Sequence, residues 1–239
     1  MTLRTLAWLA GAGILLAPGG AAAQAYRCAV PETLARPHAE GPTPDQPRRV
    51  LPIGGYTLAI TWAPQFCRGD DPASAAFQCG AGNSFGFTLH GLWPDGEGKT
   101  WPQYCRSAAL LPEATIRRNI CATPSPQLLQ HEYAKHGTCM GISPTRYFET
   151  STSLYGRLRY PDMQALSRQK GLTAGRLASA VAAANPGMRA NMMRITTTAD
   201  GWLNEIWFCL DRKRHYRACP AHQGGVSRGT PIKIWRGRR

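Results

Sequence analysis

Hydrophobic and polar positions alternate most cleanly at "YTLAITW", where Tyr56, Leu58, Ile60 and Trp62 take every second place. A period of two predicts a strand with one buried face. "FGFTLHGLWPD" predicts a second strand, with Phe85, Phe87 and Leu89 to one side and Thr88 and His90 to the other. "WLNEIWFCLD" predicts a third and "PIKIW" a fourth. Helical patches fall at 107–119, 125–136, 144–158 and 172–184, the last ending at "NPG". Residues 63–83 carry Pro, Gly, Asp and two Cys and read as a loop. Residues 26–52 hold six prolines (31, 37, 42, 44, 47, 52) and no periodicity, which predicts an extended arm. There is no internal repeat and no interior linker, so residues 53–239 form one expected domain. Strands and helices mix without strict alternation, and the expected class is α+β.

The first residues change the setting. Arg4, the apolar run "AWLAGAGILLAP" and the small residues "GGAAAQAY" follow the order of a secretory signal peptide. The expected leader is 1–25, with cleavage after Ala23 or Ala25 both fitting. Its apolar run is well short of the roughly 20 residues that span a bilayer. No later run is longer, so no membrane span is expected. The expected location is periplasmic or secreted, and the absence of an Asn-x-Ser/Thr sequon agrees with a periplasm. Eight cysteines in an exported chain read as up to four disulfides. No CxxC is present, which argues against a zinc ribbon or a thioredoxin-like site.

Charge then points to a partner. The formal net charge is +14, about +13 once Arg4 leaves with the leader. A basic surface attracts polyanions and speeds their capture. Seven Trp and eight Tyr offer faces on which unstacked bases can lie.

Candidate chemistry is densest in "HEYAKHGTC". With His131 at 0° and about 100° per residue, Lys135 falls at about 40°, Glu132 at about 100° and His136 at about 140°. One helix face would then present two imidazoles, a carboxylate and an ammonium, and Gly137 could end the helix. A zinc-peptidase pattern needs its histidines four apart. Here they are five apart with a lysine beside them, whose ammonium repels a divalent cation, so no metal is expected. By itself this face could be merely solvated.

The second segment, "FTLHGLWPD", weakens that reading. Together the two segments resemble the two active-site segments of the ribonuclease T2 family, F-T-(I/L)-H-G-L-W-P-D and H-E-(W/Y)-x-K-H-G-(T/S)-C, in the family's order and separation. "GKTWPQYC" and "NEIWFC" are similar too. The resemblance covers roughly 53 to 236 and leaves out the Pro-rich arm. It implies a central antiparallel β-sheet flanked by helices. It also implies metal-free, cofactor-free cleavage of RNA through a 2′,3′-cyclic phosphate, then a 3′-phosphate. DNA, lacking the 2′-hydroxyl, would survive.

On this resemblance His136 is the base and His90 the acid, although the sequence leaves those two labels interchangeable. His131 would hold the phosphate, Lys135 would stabilise transition-state charge, and Glu132 would orient the phosphate environment. Trp93 would stack on a base and Asp95 would hydrogen-bond its edge. Trp101, where relatives often have Tyr, would supply a second stacking wall. Leu128 stands where some relatives place an aromatic for the downstream base. The implied disulfides are Cys105–Cys139, Cys67–Cys79 and Cys209–Cys219, with Cys28–Cys121 left over. Reduction should cost stability and activity together. Two rivals are a catalytically inactive RNA-binding relative and a metal-dependent phosphodiesterase or peptidase. A monomer is the default state.

Overall fold

The computed structural model describes residues 25–69 and 75–237. The expected leader lies outside the described residues, apart from Ala25.

The short strand β1 (Ala25–Arg27) is followed by a long extended stretch, then β2 (Gly55–Trp62). Two short helices, α1 (Ala63–Phe66) and α2 (Ala76–Cys79), occupy the segment expected to be loop. β3 (Ser84–Phe85) pairs with β1, and β4 (Phe87–Asp95) continues from it. Helices α3 (Glu113–Asn119), α4 (Pro126–Lys135) and α5 (Pro144–Gly156) follow. A 3₁₀ turn, Gly137–Met140, separates the last two. After α6 (Met163–Leu166) and α7 (Ala174–Ala184), β5 (Met193–Thr197) and β6 (Leu203–Leu210) close the fold. The main sheet has the order β4-β2-β6-β5, antiparallel throughout. The class is α+β, as the mixed pattern predicts.

One sheet face carries the core. Leu58 opposes Phe208 and Leu92, and Ile60 opposes Ile206 and Leu89. All six are buried and pack with Leu129, Tyr147 and Leu177 from the helices. The opposite face carries Thr57, Ala59 and Thr61 of β2. Beside them stand Gly91, Trp93 and Asp95 of β4, and Glu205 and Trp207 of β6. Ala59 pairs with Gly91 while Ile60 pairs with Leu89, so His90 is the extra residue of a β-bulge. A bulge re-aims side chains and is common beside active sites. Here it lets Leu89 and Leu92 both reach the core, breaking the alternation.

Three further expectations differ. The helix expected from 107 begins at Glu113, after Pro112 at its N-cap. Proline disfavours helical geometry in the residue before it, so Leu111 cannot lead in. "PIKIW" forms no continuous strand: Pro231 and Lys233 make isolated bridges to Thr173 and Trp202. Its alternation still buries Ile232 and Ile234, but Pro231 has no N–H to extend a ladder. Gly137 does not end α4 in a left-handed turn. It opens the 3₁₀ turn, which ends at Gly141 with φ +72°. A Cβ on Gly137 would press on the Tyr133 and Tyr147 rings. β5 is an element the sequence pattern did not suggest.

The cysteines pair 28–121, 67–79, 105–139 and 209–219, with the partners named above. Cys105–Cys139 ties the chain after β4 to the end of the helix that carries the second motif. Among the described residues no helix is long and apolar enough to cross a membrane.

Candidate active site

β4 and α4 deliver the two motifs to one place. Ser125 caps α4 by accepting from the Leu128 N–H, Pro126 occupies its first turn, and the helix packs against β4. Glu132 is thereby buried against Gly91, where an added Cβ would collide with Glu132 Oε2. The glycine is what allows the carboxylate in. Trp93 Nε1 donates to Glu132 Oε2 at 2.8 Å, and Glu132 Oε1 lies 3.5 Å from His90 Nε2. Trp93 also lies against His136, ring centroids 5.6 Å apart and planes at 30°. The His131 and His136 rings are 6.4 Å apart.

The three histidines differ in their partners. His90 Nδ1 is 2.6 Å from Glu205 Oε1 on β6. Glu205 also accepts from Thr61 Oγ1 at 2.9 Å and Trp207 Nε1 at 2.8 Å. Burial alone would lower the His90 pKa, but the Glu205 hydrogen bond and the Glu132 and Glu205 charges outweigh it and raise it. Burial pulls Glu205 the other way as well, and its bonds from His90, Trp207 and Thr61 hold it below the usual carboxylate range. His136 is 6% exposed, and its Nδ1 has no hydrogen-bond partner among the described residues. Burial, followed by the charges of Lys135, His131 and His90, pushes it well below the ordinary histidine value. His131 Nδ1 lies 2.9 Å from Glu40 Oε2, in the Pro-rich arm. Burial raises the Glu132 pKa against the pull of His90, His131, Trp93 and Lys135. Burial lowers that of Lys135 against Glu132 and Glu40.

Beside the histidines lies a cavity of about 320 Å³ walled by Trp93, Trp101 and Trp207, with Asp95, His222 and Gln223 on its lining. Thr57 Oγ1 donates to Asp95 Oδ2 at 2.8 Å and accepts from Gln223 Nε2 at 3.0 Å. A second opening, about 450 Å³, is lined by His90, His131, Leu128, Phe66 and Glu40. The structure thus gathers His90, His131, Glu132, His136 and Trp93 into one cluster. Lys135 sits half-buried on the same helix, and Asp95 and Trp101 stand in the adjoining cavity.

Sequence reasoning missed Glu205, Trp207, Gln223, His222 and Glu40. Glu205 had a signal, since it is an acid alternating with Trp207 on the non-core face of β6. Glu40 had none, being a lone acid 91 positions before His131. Ligand-type atoms of His131, Glu132 and His136 lie within 4.8 Å of one another, close enough to share a cation.

Two histidines beside a buried carboxylate therefore stand next to an aromatic slot on an α+β scaffold. The Ribonuclease T2 family model matches residues 53–219, and the chain belongs to that family. A probable ribonuclease of Haemophilus influenzae is 31% identical over 180 residues, 70% of this chain and 61% of that protein's length. A ribonuclease of Aeromonas hydrophila is 31% identical over 66% of this chain and 72% of its own. The solved RNase-related protein from Calystegia sepium shares the fold, with a TM-score of 0.60 and 22% identity over 76% of this chain and 96% of that one.

Proposed function

We propose that this protein is an endoribonuclease that cleaves single-stranded RNA by transphosphorylation, needing no metal, to a 2′,3′-cyclic phosphate and then a 3′-phosphate. The carrying observation is that two histidines stand around one buried carboxylate in opposite settings: His90 is bonded to Glu205, which helps raise its pKa, and His136 is buried with an unpartnered Nδ1, which lowers its pKa. His136, whose pKa burial lowers and whose Nδ1 has no partner among the described residues, takes the proton of the 2′-hydroxyl. His90, whose pKa the Glu205 contact helps to raise, gives a proton from Nε2 to the departing 5′-oxygen. Their roles reverse in hydrolysis of the cyclic phosphate. Lys135 and His131 neutralise the phosphorane oxygens. Glu132 holds Trp93 and faces His90. The Trp93–Trp101 slot takes a base and Asp95 bonds its edge, while intact DNA is left alone.

Around this chemistry, residues 1–25 act as an export signal, 26–52 as an arm, and the mature protein works as a periplasmic or secreted monomer. One observation favours a second reading, a metal-assisted phosphodiesterase, namely the approach of His131, Glu132 and His136.

A set of dinucleoside monophosphates with the oxidised mature protein in EDTA separates the readings. A 2′,3′-cyclic product supports the proposal. Turnover abolished by EDTA and restored by a divalent ion supports the metal reading. RNA bound without turnover leaves a binding protein.

A further inference from the structure

The Pro-rich arm lies outside the matched family segment, yet it reaches the reaction centre. Cys28 is bonded to Cys121, and the Arg117 guanidinium donates to the carbonyls of Pro31 at 2.8 Å and Glu32 at 2.5 Å. Further on, the His38 N–H donates to Gln127 Oε1 at 2.8 Å, and Gln127 Nε2 donates to Glu40 Oε1 at 2.6 Å. Beyond Glu40, Arg49 and Gln103 exchange two backbone hydrogen bonds of 2.9 Å, and Gln103 Nε2 donates to the Pro47 carbonyl at 2.7 Å. The arm is therefore tied on both sides of one carboxylate. That carboxylate has both oxygens engaged, one by Gln127 and the other by His131 Nδ1 at 2.9 Å.

We infer that Glu40 is a positioning residue for His131, supplied by the arm. This rests on the ribonuclease reading above. A histidine that is to hold a phosphate must present one particular nitrogen in one ring orientation. A carboxylate on the other nitrogen fixes both. With Nδ1–H given to Glu40, Nε2 is the nitrogen left to meet the substrate. The arrangement parallels Glu205 behind His90, though that carboxylate comes from the sheet. Gln127, one helical turn before His131, sets the Glu40 rotamer. The charged and titratable groups around Glu40 are His131 and His38, with Lys135 and Tyr104 within electrostatic reach. The Glu40–His131 contact is not a loose surface one, because its side chains are only 26% and 19% exposed.

The test is kinetic and spectroscopic. Glu40→Ala, Glu40→Gln and Glu40→Asp are compared on a dinucleoside monophosphate in EDTA, each alone and in a His131→Ala background. The ¹⁵N resonance of His131 Nδ1 is followed alongside. Outer carboxylates behind metal-bound histidines are typically worth about 10-fold or more, and an orienting carboxylate here is expected to act on the same scale. Glu40→Ala is expected to lose about 10-fold in kcat/KM, to shift the Nδ1 resonance, and to cost nothing further once His131 is gone. Glu40→Asp should recover part of the loss. Unchanged kinetics and an unmoved resonance in a folded Glu40→Ala protein would overturn the inference. An equal loss with and without His131 would also overturn it, by making the arm a mere brace. Failure of the wild type to turn over any dinucleotide is a different outcome, and defeats the ribonuclease reading on which Glu40's role depends.

Discussion

At the scale of single residues the site is a set of carboxylates holding imidazoles. Because Glu205 raises His90 and burial lowers His136, the two limbs of a pH–rate profile should move apart. The sign follows from the proposed roles, His136 as base and His90 as acid. Activity needs His136 unprotonated, so the acid limb should lie below the ordinary histidine pKa of about 6.5. It needs His90 protonated, so the alkaline limb should lie above it. The result is a broad bell in kcat/KM, with limbs that belong to the coupled pair. Glu205→Gln removes the charge behind His90 and should pull in the alkaline limb while sparing the acid one. A profile narrowed from the acid side would defeat this assignment. The same coupling affects folding. His90, raised in the folded state, contributes stability at low pH that is lost as pH rises through its folded value. His136, lowered, contributes stability above its unfolded value that is lost on acidification. Gly91 is the packing counterpart. Gly91→Ala places a methyl on the Glu132 carboxylate and should cost about 1–3 kcal/mol in chemical denaturation, with loss of activity beyond that. Wild-type stability in this variant would mean that Glu132 is free to move.

At the scale of elements, the strands with clean alternation were legible, because one buried face imposes a period of two. The bulge at His90 was not: an extra residue has no signature in hydrophobicity, only in the register with β2. It is nevertheless what turns the histidine toward Glu205 and Glu132. α4 and its four polar residues could be read from helical spacing, whereas the start of α3 was hidden by the Leu110–Leu111 run ahead of Pro112. Of the site, the residues inside the two motifs were visible. Glu205 and Glu40 were not, since their meaning lies in long-range pairing with His90 and His131, 115 and 91 positions away. The two motif-bearing elements are held together by Cys105–Cys139, which closes a sequence separation of 34. Loop-closure entropy for that span is about 3–4 kcal/mol. A Cys105→Ser/Cys139→Ser protein should lose stability of that order in denaturant titration. It should also lose kcat at temperatures where it remains folded, because α4 is then less firmly set against β4. A stability loss with unchanged kcat would show that packing alone keeps the histidines in place.

At the scale of the whole molecule, the proposed function makes charge the factor that should decide how RNA arrives. The chain carries a net +14, and basic side chains stand near both openings, Lys99 at the tryptophan slot and Lys135 at the histidines. Arg49 lies over Trp101 at 5.0 Å, so an arm residue brings charge to the slot wall. Single-stranded RNA displaces about 0.7 counterion per neutralised phosphate, so the slope of log kcat/KM against log salt counts the phosphates met on approach. A dinucleotide offers one phosphate and should show a shallow slope. A long single strand, drawn by the full basic surface, should show one several times steeper, and the two substrates should converge in rate per bond at high salt, where only the histidine centre acts. Charge-reversing substitutions far from the openings should flatten the long-strand slope and leave the dinucleotide unaffected. If both substrates instead respond alike to salt, the net positive charge has no part in capture, and the slot and the histidines alone account for RNA binding.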